Sequence, residues 1–360
     1  MKNYRLGIIG LGRMGSTIDD EGHGRDPYSI AASCQAIECL TLAAGADLRA
    51  ERREAFRDRW GVKALYEDYM EMVEKEKPDL VAVCTTASGL QKPINKAPDS
   101  TFRGDSHAEL TIALANAGVP MLYVEKAMAS SLEQADLILN AIKKNKTVIN
   151  TGVLRRFDES YDAVRDAISS GEIGEPRAVI HFAPSSLMHG HIHSIDTVSF
   201  LLGDPKITAV RGELLPRDLE IKGCHLSQDP NAIYQLRFEN GVEVSSIAAG
   251  EWEFEVVGTA GSIRSINNGN GTILRKPGSM VGRRQSWEEV PFPPKSPKSP
   301  VVSCLEDILS AFSSGGPTLG HIDCAHHITE ACFAVAESHR KGGTWVDLPL
   351  LERGLYIFHV

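Results

Sequence analysis

The stretch that most constrains this chain is Gly10-Leu-Gly12-Arg-Met-Gly15, reached directly from the apolar run 6–9. A short apolar run stopped by glycine reads as a buried strand. The glycine spacing after it is that of a turn joining a strand to a dinucleotide-binding helix. Each glycine has its own task there. Gly10 permits the tight turn, Gly12 leaves the backbone open to a pyrophosphate, and Gly15 lets the first helix lie close on the sheet. The helix N-terminus then offers unpaired N–H groups and a favourable dipole to the phosphates. Glycines so spaced also occur as plain turn residues, but the place after a strand and before a helix favours the nucleotide.

A length of 360 residues exceeds one ordinary core and predicts two domains. No segment approaches the ~20 apolar residues of a membrane span, and a strand that begins by residue 5 predicts no signal peptide. Seven cysteines without a C-x-x-C pair fit a reducing, cytoplasmic setting. The formal charge is −9, and Arg52-Arg53, Arg155-Arg156 and Arg283-Arg284 are isolated pairs. Neither nucleic acid nor a membrane is therefore an expected partner.

Beyond Gly15 the sequence is irregular through 19–27, then turns apolar at Ile30 and leads to a second strand ending in Asp47. Asp47 lies 37 residues after Gly10, whereas the usual distance to a ribose-binding acid is about 20. The surplus matches a loop inserted over 19–29 at the cofactor edge. Asp47 would accept hydrogen bonds from the adenosine ribose and repel a 2′-phosphate, favouring NAD over NADP. Arg49 and Arg52 read either as a solvated helix start or as a phosphate clamp.

Helical patterns follow at 50–59 and 67–76, and a buried strand at 78–84 ends in Thr85-Thr86. These hydroxyls stand on the edge where α/β sheets bind ligands, within reach of the nicotinamide half or the phosphates. The long segment 87–104 is a candidate substrate wall. His107 opens a helix to Asn116, a strand covers 119–124, Ser130 and Ser131 cap a helix to about Lys144, and 146–151 is a further strand. This alternation predicts an α/β domain over 1–151, a Rossmann-type doubly wound parallel sheet.

The texture changes over 152–360. A helix at 160–169 precedes strand-like runs at 177–183, 207–213, 232–238, 242–249 and 253–257, with Asn240-Gly241 as a hairpin signal. A proline-rich loop over 291–300 and a helix over 321–339 follow. The expectation is an α+β domain on a largely antiparallel sheet, serving as substrate cover and subunit interface.

Two places carry chemistry. Glu125-Lys126 directly follows a buried strand on the ligand edge. Lys126 can hydrogen-bond or protonate a hydroxyl oxygen as hydride leaves the same carbon, while Glu125 orients it or touches the nicotinamide ribose. The second place is His189-Gly-His191-Ile-His193-Ser-Ile-Asp196. In a helix His189 and His193 share a face; in an extended segment all three histidines do. Zinc needs three or four ligands at once, and no distant Cys/His motif completes a set, so no metal is expected. Core histidines remain an alternative to a substrate-binding and proton-transfer role.

The chain resembles the glucose–fructose oxidoreductase / inositol dehydrogenase / MocA-like (Gfo/Idh/MocA) family over nearly its whole length. The resemblance is carried by the glycine turn, Asp47, Tyr123-Val-Glu-Lys126, Ile173-Gly-Glu-Pro176, and His193-Ser-Ile-Asp196 before Leu201-Leu-Gly203. It implies an NAD(P)-dependent oxidoreductase acting on a sugar, cyclitol or derivative. The cofactor residues would be Gly10, Gly12, Arg13, Met14, Gly15 and Asp47, joined by Thr85, Thr86, Glu125 and Lys126. Lys126 and His193 would be the catalytic pair, and homodimers or homotetramers would form through the second-domain sheet. Two positions depart from the pattern: Ala127 stands where the family has proline, and His189 where it has aspartate. His189 is accordingly the third catalytic candidate. The leading expectation is reversible oxidation of a secondary alcohol on a polyhydroxylated substrate. The alternatives are a lyase or epimerase working through a transient keto-sugar, and a non-catalytic nucleotide sensor.

Overall fold

In the computed structural model, residues 3–22, 24, 27–86, 106–293 and 298–359 are described. The first part of the chain alternates strand and helix: β1 (Tyr4–Ile9), α1 (Ile30–Gln35), β2 (Leu40–Ala46), α2 (Ala50–Trp60), β3 (Leu65–Tyr66), α3 (Tyr69–Glu76), β4 (Leu80–Val83), α4 (Ser106–Asn116), β5 (Met121–Val124), α5 (Leu132–Asn145) and β6 (Val148–Thr151). The strands form one parallel sheet in the order β3-β2-β1-β4-β5-β6. Every residue of β4 and β5 is buried, as expected where helices cover both faces of a parallel sheet. Each fully buried aliphatic side chain there stabilises the fold by roughly 1.5–3 kcal/mol. The strand order reverses between β1 and β4, and ligands of such sheets bind at that switch point, outside the strands' C-terminal ends. The glycine turn, Thr85 and Lys126 all lie at such ends.

Local sequence explains the boundaries. Asp68 caps α3 by accepting from the Met70 amide at 2.7 Å, and Ser131 caps α5 by accepting from Gln134 at 3.3 Å. The surplus between Gly15 and β2 holds a 3₁₀ turn, Ile18–Glu21, and a carboxylate clasp. Asp19 accepts from the amides of Tyr28 at 2.5 Å and Ser29 at 3.2 Å, and Ser29 then caps α1.

The second part runs α6 (Glu159–Ser169), β7 (Pro176–Phe182), α7 (Ile192–Leu201), β8 (Ile207–Leu215), β9 (His225–Leu226), β10 (Asn231–Phe238), β11 (Glu243–Ile247), β12 (Glu253–Gly258), β13 (Gly261–Ile266), β14 (Gly271–Val281), β15 (Arg284–Val290), α8 (Pro300–Ser314), α9 (Ile322–Arg340), β16 (Val346–Asp347) and β17 (Tyr356–Ile357). Nine strands make one sheet in the order β15-β14-β13-β12-β7-β11-β10-β8-β16. Only its β7–β11 pair is parallel, so the sheet is largely antiparallel. Asn240-Gly241 makes the β10–β11 turn: Gly241 has φ +83°, and the Asn240 side chain accepts from the Val242 amide at 3.1 Å.

Three stretches differ from the sequence reading or add to it. The helix expected directly after Gly15 is a five-residue π-turn, Arg13–Thr17, and the first α-helix begins only at Ile30. Residues 261–290, dense in glycine and weakly apolar, carry no element assignment from sequence and form β13–β15. Pro300 ends no structure: it occupies the first turn of α8, where its missing N–H costs nothing, while Ser299 accepts from the Val302 amide at 3.2 Å. The chain falls into two compact units, Met1–Phe157 with Lys298–His326 and Phe358–Val360, and Asp158–Pro297 with His327–Ile357. Helix α8 thus returns to the first unit, where Val301, Cys304, Leu305 and Ile308 join the core of Leu6, Ile8 and Leu80. Among the described residues no helix is long and apolar enough to cross a membrane.

Candidate active site

The glycine turn is built so that two of its members admit nothing larger. Gly10 leaves β1 at φ +89°, and a Cβ on it would stand 2.7 Å from the Cys84 backbone. A Cβ on Gly15 would stand 2.2 Å from the Gly10 carbonyl oxygen. Backbone at such distances cannot yield, so the turn is held close on itself and on the chain just beyond β4. The neighbour of Gly12 is instead the Arg52 guanidinium, 3.1 Å from where a Cβ would lie. Met14 packs on the core of the unit, and Arg13 turns to Glu21 in a two-pronged pair at 2.6 and 2.7 Å.

Asp47 follows β2 and is buried. Its carboxylate accepts from the Leu11 amide at 2.9 Å and the Arg49 amide at 3.0 Å, and lies 3.5 Å from Arg52. One side chain therefore ties the second strand to the glycine turn. A carboxylate has about four lone-pair sites, so ribose hydroxyls can still be accepted. Arg52, exposed near the start of α2, has its guanidinium beside both Gly12 and Asp47. The close glycine turn, the acid beyond β2 and the cation at Gly12 fit a dinucleotide.

At the next strand ends, the Thr85 hydroxyl pairs with that of Ser106 at 3.0 Å, and exposed Thr86 gives its carbonyl to Ser106. Glu125 is buried beyond β5 and accepts from the Tyr123 hydroxyl at 2.5 Å. Burial and the Glu125 charge push the Tyr123 phenol well above its ordinary range. A Cβ on Gly152 would come within 2.9 Å of both partners, so glycine makes room for this pair. Lys126 is half-buried, and its peptide to Ala127 is cis.

The histidine segment lies in the second unit and is not a simple helix. A π-turn over Leu187–His191 precedes α7, so the three histidines diverge: His189 is exposed, His191 buried and His193 half-buried. Asp229, which sequence reasoning missed, anchors the turn by accepting from the amides of Met188 at 2.8 Å and His189 at 2.7 Å. Burial raises its carboxyl pKa, and the two amide bonds act the other way. Its signal in sequence was absent, because it stands 40 residues beyond His189. Gly190 fits because any Cβ would run into Ser185. Among the described residues no group of three His, Cys, Asp or Glu could hold a metal.

His191 is packed into the core of its unit. Its Nε2 lies 3.0 Å from the Ala232 carbonyl, and the ring packs edge-on against Tyr234. Burial lowers its pKa from 6.5 to about 4. The unfolded chain then binds a proton as pH falls below 6.5 while the folded chain does not, so stability is lost across that window. The full loss by pH 4 is on the order of 3 kcal/mol. Urea unfolding of His191→Gln should show a shallower acid slope than the unmodified protein; parallel slopes would refute this account.

The chain matches known proteins in sequence and in fold. Residues 4–153 match the family model described as "Oxidoreductase family, NAD-binding Rossmann fold", and residues 165–348 match its "C-terminal alpha/beta domain". The chain is similar to a myo-inositol 2-dehydrogenase of Thermotoga maritima, 24% identical over 75% of this chain and 77% of that protein. It is also similar to an NAD(+)-dependent scyllo-inositol 2-dehydrogenase of Bacillus subtilis, 26% identical over 76% and 78%. Among solved structures, an aldose-aldose oxidoreductase from Caulobacter crescentus complexed with glycerol has a TM-score of 0.74 at 18% identity. That match covers 96% of this chain and all of the other, and it shows a shared fold.

Proposed function

We propose a reaction for this chain from one premise: it belongs to the Gfo/Idh/MocA family of NAD-binding oxidoreductases. The reading is reversible oxidation of a secondary alcohol on a sugar, cyclitol or derivative, and the inositol dehydrogenases among its relatives support that substrate class. The observation that carries it is the common edge of the sheet. The glycine turn after β1, Thr85 after β4 and Lys126 after β5 stand at the C-terminal ends of neighbouring strands.

NAD supplies the hydride acceptor when bound. Gly10, Gly12 and Gly15 give it a close backbone, Asp47 takes its adenosine ribose, and Arg52 adds positive charge beside Gly12. Thr85, Thr86 and Glu125 serve its other half. Lys126 holds negative charge developing on the substrate oxygen, His193 takes the hydroxyl proton, and His189 orients a neighbouring hydroxyl. The assembly is a homodimer or homotetramer; exposed Met280, Val281 and Trp287 on β14–β15 support a self-interface there.

The test is incubation with NAD and a panel of sugars and cyclitols, reading NADH absorbance and product chromatography. NADH formed with a ketone product supports the reading. Conversion without net NADH would replace it with the lyase or epimerase alternative, and NAD binding without conversion of any member would leave the nucleotide sensor.

Asp47 also sets a cofactor preference. Calorimetry should show NAD bound more tightly than NADP, because a carboxylate at the ribose repels a 2′-phosphate. Asp47→Ala should weaken NAD binding, by about 1–3 kcal/mol for a lost charged hydrogen-bond acceptor, and narrow the gap to NADP. A clear NADP preference in the unmodified protein would instead make Arg52 a phosphate clamp.

A further inference from the structure

His107 is buried at the start of α4, and both nitrogens of its ring face main-chain carbonyls. Nδ1 lies 2.8 Å from the Ala127 oxygen and Nε2 lies 2.8 Å from the Thr85 oxygen. Carbonyl oxygens only accept, so the ring nitrogen that carries the proton donates to its carbonyl, and the ring is seated between the two segments. The two carbonyls belong to the segments that carry the chemistry proposed above: Thr85 lies just beyond β4, and Ala127 immediately follows Lys126.

The links bracket the lysine. On one side of it the Glu125 amide donates to the Val83 carbonyl of β4 at 2.9 Å. On the other side the Ala127 carbonyl is tied, through one imidazole ring, to Thr85 just beyond β4. Lys126 is thus a single residue strung between two points that both refer back to the same strand. We propose that His107 is a positioning residue for the reaction: its ring fixes the Ala127 carbonyl against Thr85 and so sets where the Lys126 side chain leaves the backbone. It touches neither substrate nor cofactor.

The inference rests on the lysine-centred reading, and the experiment separates the two. His107→Ala, His107→Asn and His107→Gln would be compared with the unmodified protein in kcat, KM, NAD affinity and melting. The rate of reductive methylation of Lys126 would be followed by peptide mass spectrometry. Asparagine can place a donor near the Nδ1 position, toward Ala127, and glutamine near the Nε2 position, toward Thr85. Loss of the Ala127 link should lower kcat by about 10- to 100-fold, as a misplaced catalytic group does, with NAD affinity within about twofold. The Lys126 methylation rate should change in the same variants. Asparagine should recover most of both readouts and glutamine little.

Equal behaviour of the asparagine and glutamine variants, or alanine with unchanged kcat and methylation, would overturn the proposal. Should the alanine variant fail to fold, the asparagine–glutamine contrast decides. Should the unmodified protein turn over no member of the panel, the substrate reading fails, and the methylation contrast still decides the role of His107.

Discussion

Lys126→Ala is expected to abolish most turnover while leaving NAD affinity and melting temperature close to those of the unmodified protein. The expectation follows from where the side chain stands. It leaves the backbone beyond a fully buried strand and is half-buried itself. A cation there acts on charge that exists only while hydride departs, so its loss raises the barrier without a matching loss of ground-state binding. A single well-placed electrostatic donor contributes on the order of 3 kcal/mol to the transition state, or about 100-fold in rate. Single-turnover NADH formation, alongside calorimetry with NAD, separates the two effects. Full turnover by Lys126→Ala would end the lysine-centred mechanism. A parallel collapse of NAD binding would reassign Lys126 to the cofactor.

What could be read in the sequence was what short-range chemistry dictates. The glycine turn, Thr85 and Glu125-Lys126 each announce themselves by following an apolar run, and the structure sets them on one sheet edge. Asp47 was legible despite its distance from Gly10, because the excess chain is polar and is clasped by Asp19. The rest depends on contacts made far along the chain. Asp229 supports His189 across 40 residues, and no local pattern marks it. His107 looked like an ordinary helix start because the two carbonyls its ring faces, those of Thr85 and Ala127, lie 22 and 20 residues away. Helix α8 was hidden by the prolines before it, which read as loop until Pro300 is seen in a first turn. The segment 87–104, expected as a substrate wall, lies outside the described residues.

The histidine segment allows a sharper separation than three alternating histidines suggested. His193→Ala should cut turnover by about 100-fold or more if its imidazole takes the hydroxyl proton. It should also flatten the acidic side of the oxidation profile, since a base must be unprotonated to act and histidine is the side chain that changes charge near neutrality. His189→Ala tests the departure from the family's aspartate. The Asp229 carboxylate grips the main-chain amides of Met188 and His189, not the imidazole, so truncating His189 leaves the π-turn anchored. Any loss then reports the ring alone. An effect of about tenfold or less makes His189 an orienting group. A loss equal to that of His193→Ala, with no further loss in the double variant, makes the two rings one relay. Turnover with an unchanged acidic limb in His193→Ala would remove that residue from proton transfer, and the same measurement on His189→Ala would then show whether the role had moved one turn back along the chain.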